Sequence, residues 1–176
     1  MINKNLVFSG ANMALAGLCI LLSEYLGTTI TKVSVVLLFI SGGYFALRFS
    51  QSIKDHYVGK QFHFLQALGM MTFGILVFFA SDSLEEITTF ASYIVMIFGF
   101  LEIGFGFMFF NSGLKLKWDI VIYRFVSGFL SIVGAMVILF SSMEDKNTGL
   151  IIVGCLLIMR GITFTFLAQK LKLDPR

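Results

Sequence analysis

The chain has 176 residues, 57% of them hydrophobic and only 13% charged, against about 25% charged in an ordinary soluble domain. With 21 Phe and a single Pro, Pro175, this is the composition of a polytopic helical membrane protein, and the length leaves no room for a separate soluble domain. The net charge of +3 contains no basic run dense enough for nucleic acid, so the expected partner is the lipid bilayer, with a second copy of the chain or another membrane protein also open.

Lys4, the apolar stretch behind it and Ala14-Leu15-Ala16 mimic a signal peptide. The apolar run continues past that site through Leu22, and Leu18-Cys19 lacks the small residue that precedes a lipoprotein cysteine. The segment therefore reads as a retained first span. A helix needs about 20 apolar residues to cross the hydrocarbon, and the candidate spans are Leu6–Leu22, Val33–Phe49, Phe62–Ala80, Ile87–Phe110, Ile120–Phe140 and Thr148–Ala168. The first two are short. The Ser81–Glu86 and Ser141–Asn147 connections are short and polar, so each joins antiparallel neighbours. The expected fold is all-α: one domain over 1–176 with six transmembrane helices in three hairpins, at about 6–49, 62–110 and 120–168. Cys19 and Cys155 fall in apolar runs and read as buried packing residues rather than a redox pair.

Basic residues set the orientation. Lys4, Arg48, Lys54, Lys60, Lys115, Lys117, Lys170, Lys172 and Arg176 collect on one side, whereas only Lys32 and Lys146 lie on the other. The positive-inside rule then puts both termini in the cytoplasm. Arg124, a few residues inside the fifth span, is expected to snorkel toward the basic side. Trp118, Tyr57 and Tyr123 suit an aromatic belt there.

Each hairpin goes out through a Gly-containing helix, turns at a Ser/acid cluster and returns through another. The outward glycines are Gly17, Gly74 and Gly134; the return glycines are Gly42-Gly43, then Gly99 and Gly106, then Gly154 and Gly161. Glycine lets membrane helices approach closely, where packing relies on shape rather than on expelling water. An even number of spans per unit makes the three repeats parallel, about an axis along the membrane normal. Many alternating-access carriers use inverted repeats instead.

The segments Gly17-Leu18-Cys19-Ile20-Leu21-Leu22, Gly74-Ile75-Leu76-Val77-Phe78-Phe79 and Gly134-Ala135-Met136-Val137-Ile138-Leu139 recur on the outward helices. Leu37-Leu38-Phe39-Ile40-Ser41-Gly42 and Gly154-Cys155-Leu156-Leu157-Ile158-Met159-Arg160-Gly161 sit on the return helices. Together with six spans in about 180 residues, this pattern resembles the HdeD-like family of bacterial membrane proteins. The resemblance implies a non-enzymatic inner-membrane protein acting in acid or envelope stress.

Two ionisable residues sit inside spans: Glu102 in the fourth and Arg160 in the sixth. A charge in hydrocarbon faces the protein interior, pairs, or marks a function. Each lies eight residues before the end of its span, roughly 12 Å deep at about 1.5 Å per residue, on helices that run the same way. Aligning Gly99 with Gly154 and Gly106 with Gly161 matches Glu102 to Leu157 and Arg160 to Phe105, so the pair breaks the repeat. Three roles are open: a buried pair that fixes helix packing, an Arg160 that snorkels away, or a polar pathway in a small transporter or channel. Among weaker leads, His63 and His56 near the basic side are candidate pH sensors, with Gln66 one turn after His63. Tyr44, Asn12 and Tyr93 are candidates for lining a cavity or bridging helices. Two histidines seven apart without a thiol or acid cluster do not make a zinc site, and Ser127-Gly128 lacks a nucleophile-elbow context. Neither metal nor cofactor nor enzymatic activity is expected.

Overall fold

A computed structural model of the protein describes residues 3–53, 57–111, 118–140 and 146–170. They form six helices: α1 (Lys4–Leu21), α2 (Ser23–Ser52), α3 (Tyr57–Ala80), α4 (Leu84–Asn111), α5 (Trp118–Phe140) and α6 (Lys146–Lys170). Among the described residues there is no strand. Each helix is long and apolar enough to cross a membrane, so this is a multi-pass membrane protein. Leu37, Phe107 and Phe129, each more than half exposed, cover its outside. Such a surface belongs against lipid.

Every helix packs on its neighbours in sequence, and α6 packs on α1, which closes the ring. The core fills the middle with Met13, Phe39, Met70, Phe98, Leu157 and Phe164. The ring is tightest where one hairpin meets the next. At the α6/α1 contact, a Cβ on Gly17 would lie 2.6 Å from the Gly154 carbonyl oxygen, and one on Gly10 would lie 2.5 Å from that of Gly161. At the α4/α5 contact, Gly99 and Gly128 face each other's carbonyls in the same way. At the α2/α3 contact, Gly42 and Gly43 receive Met70 and Met71, and Gly74 receives Ile40. Gly106 is covered by the Phe125 ring, and Gly134 takes Leu156 of α6 within the third hairpin.

The first hairpin departs from the expected turn at a Ser/acid cluster: its candidates, Ser23 and Glu24, begin helix α2. α1 gives way to α2 across Leu22, and the helix continues to Ser52 with one interruption at Gly27 (φ 76°, ψ 163°). Gly27 supplies the positive φ that a residue with a side chain resists. The Thr-rich stretch after it lowers the local hydropathy, so the apolar run marks the helix only from Val33 onward. Lys32 on this extension donates to the Ser81 carbonyl and lies 3.7 Å from Asp82, tying α2 to the α3–α4 turn. That turn is held by Ser83 and Glu86: Ser83 Oγ accepts from the Glu86 amide, and Glu86 Oε2 accepts from the amides of Asp82 and Ser83. This is a helix N-terminal capping box. Lys32→Met is expected to lower unfolding stability in detergent by about 1 kcal/mol, the net value of one hydrogen bond. Asp82→Asn should have no measurable effect, because the Asp82 side chain is fully exposed.

The cysteines are free thiols on different helices; Cys19 is half-buried, and Cys155 is exposed rather than buried as expected. Trp118 is exposed near the start of α5, whereas the Tyr57 side chain lies outside the described residues.

Candidate functional site

The buried charges among the described residues form one connected cluster where α3, α4, α5 and α6 meet. Glu102 and Arg160 are both fully buried, and Arg124 is 2% exposed. Glu102 Oε2 accepts from Arg124 Nη1 at 3.1 Å, and Glu102 Oε1 lies 3.5 Å from Arg160 Nη1. One carboxylate therefore holds two guanidiniums from two different helices.

The hydrogens in the cluster have a direction. Gln66 Nε2 donates to Glu102 Oε1 at 3.3 Å. Its Oε1 is thus turned to His63 Nδ1, 2.9 Å away, and that nitrogen carries the hydrogen. On the other side, Arg160 Nη1 donates to Ser127 Oγ at 3.3 Å. Thr163 spends its hydroxyl hydrogen on the Met159 carbonyl, so Ser127 is the donor in its 3.4 Å contact with Thr163. The chain His63–Gln66–Glu102–Arg160–Ser127–Thr163 touches four helices, and each of its side chains is buried.

Aromatic rings cover Arg124. Its guanidinium carbon lies 4.2 Å from the Phe105 ring centroid and 4.8 Å from that of Phe62. These rings attract the cation through their faces and keep lipid and water off it. Phe105 is the residue that the glycine alignment matches to Arg160. One return helix thus contributes a cation at that position, and another contributes the ring that covers a cation.

Arg124 does not snorkel. Its side chain turns inward because Glu102 and two ring faces offer it more than the membrane edge does. Arg160 is likewise buried rather than extended to the surface. His63 is 2% exposed, wedged against the Phe49 ring, whereas His56 lies outside the described residues. Tyr44 and Tyr93 are each 48% exposed. Among the described residues neither hydrogen-bonds to another helix; Tyr44 instead lies under Arg48 of its own helix, 5.5 Å from ring centroid to guanidinium. Asn12 is half-buried where α1 meets Gly42 of α2.

Sequence reasoning missed three members of the cluster: Arg124, Ser127 and Thr163. Their shared signal was available. Arg124 and Ser127 are three apart, as are Arg160 and Thr163, which puts each pair on one helix face. Gln66→Leu tests the relay. It strips the His63 Nδ1–H of its acceptor and Glu102 of a donor, so a loss of about 1–3 kcal/mol in unfolding stability is expected.

No protein-family model matches the chain, and no curated protein or solved structure matches it.

Proposed function

We propose that this is a non-enzymatic membrane protein of the HdeD-like kind, resident in a bacterial inner membrane with both termini in the cytoplasm and acting in acid or envelope stress. The family role comes from the resemblance of the glycine hairpins. The asymmetry of basic residues supports the orientation. Candidate partners are a second copy or another membrane protein.

One observation carries the preference for a structural role over transport. Glu102 is fully buried and paired with both arginines. A group that handles a passing ion or proton must meet water at some point in its cycle, whereas this one is enclosed by protein. The competing reading is a small carrier or channel that uses Glu102 and Arg160. Its support is that the polar chain runs across four helices.

Flux from reconstituted vesicles separates the two. Vesicles with the purified protein should stay as tight to protons, sodium, potassium and chloride as empty vesicles between pH 4 and 8. Flux that rises with protein content and disappears in Arg160→Leu would overturn the structural reading.

A further inference from the structure

The cluster does not balance its charge. Among the described residues, Glu102 contributes one negative charge, and Arg124 and Arg160 contribute two positive ones; arginine stays charged in proteins. One unit of positive charge is left in the interior of a membrane protein, where an unneutralised ion is costly.

The hydrogen-bond inventory shows where that charge is unmet. Arg160 uses only Nη1, toward Glu102 and Ser127. Among the described residues its Nε and Nη2 are buried without a hydrogen-bond partner, and so is Nε of Arg124. In a guanidinium, the Nε and Nη2 hydrogens point the same way along one edge. That edge is the side-on fork that grips two oxygens of a carboxylate or similarly shaped anion. Arg160 thus presents a complete, fully buried fork.

We propose that the free edge of Arg160 binds one small monovalent anion of carboxylate shape, of the size of formate, acetate, nitrate or bicarbonate. Two features select this class. A single negative charge completes the balance with Glu102, which water does not. Two oxygens on one atom meet both Nε–H and Nη2–H, which a spherical halide does less well. Small size follows from burial, because a lipid phosphate would have to carry its headgroup into the bundle. The site holds whether the protein is a stress scaffold or a carrier, since it rests on the cluster alone.

The test uses the full chain, purified in a neutral detergent, with sodium formate exchanged for sodium gluconate at constant ionic strength. Gluconate offers the same carboxylate on a body too large for a buried site. The melting temperature should rise with the logarithm of the formate concentration, reaching about 5–11 °C at roughly a hundred times the Kd. Ser127→Asp supplies the missing negative charge from the Nη1 side of Arg160, so it should melt higher than the parent in gluconate and respond less to formate. Arg160→Lys keeps the charge but loses the fork, and its response to formate should vanish. Equal melting in the two salts overturns the proposal, as does a rise that persists unchanged in the variants. A rise produced by phosphatidylglycerol but not by formate overturns it in favour of a lipid headgroup. The parent titration decides the matter even if a variant fails to fold.

Discussion

Glu102→Leu is expected to destabilise the protein far more than Arg124→Leu or Arg160→Leu. The reason is the arithmetic of charge in the buried cluster. Removing Glu102 leaves two guanidiniums facing each other without a counter-charge, and orphaning one buried charge already costs about 3–5 kcal/mol. Removing either arginine leaves Glu102 in a one-to-one pair with the other, at 3.1 Å for Arg124 or 3.5 Å for Arg160. Each Arg→Leu change therefore loses packing and hydrogen bonds but leaves one carboxylate balanced by one guanidinium. Chemical unfolding in mixed micelles, followed by tryptophan fluorescence or circular dichroism, ranks the three. A ranking in which Arg160→Leu is worst would show that Glu102 is not the hub.

Gly161→Val should open the ring at its closing contact. The Gly161 position faces the backbone of α1, with the Gly10 carbonyl and Ala14 in the space that a side chain would take. The opposing atoms are largely main chain, so no rotamer change relieves the clash and the two helices must separate. Overpacking of this kind costs roughly 1–3 kcal/mol, occasionally more, and here it also loosens the seat of Arg160 one residue earlier. Gly104→Val makes the control, because a Cβ there meets nothing within 4 Å. The first variant should melt clearly lower than the parent and the second close to it. Equal melting of Gly161→Val and Gly104→Val would contradict the close α1/α6 contact.

The six helices were legible because a membrane makes hydropathy a direct readout of element length. The exception is instructive. The run from Thr28 to Lys32 is helical, yet it carries three threonines and a lysine, and Lys32 within it is tied to the α3–α4 turn. Glu102 and Arg160 were legible for the same reason in reverse, since each interrupts an apolar window. Arg124 was not. Its position near the end of a span allows two destinations, and only Phe62 on α3 and Phe105 on α4 decide between them. Those rings are distant in sequence, and they become neighbours of Arg124 only when the ring of helices closes. The tyrosines were misleading for a related reason: a polar tip on a membrane helix is satisfied at the lipid interface as readily as in a cavity, and Tyr44 and Tyr93 face outward.

The most direct measurement of the account is a pair of double-mutant cycles on unfolding stability, Glu102→Leu with Arg124→Leu and Glu102→Leu with Arg160→Leu. If one carboxylate holds both guanidiniums, each cycle should return a coupling of about 1–3 kcal/mol, with the double variant less impaired than the two singles added together. Additive effects in both cycles would mean that the charges do not hold one another, and the buried cluster would lose its place as the link between α4, α5 and α6.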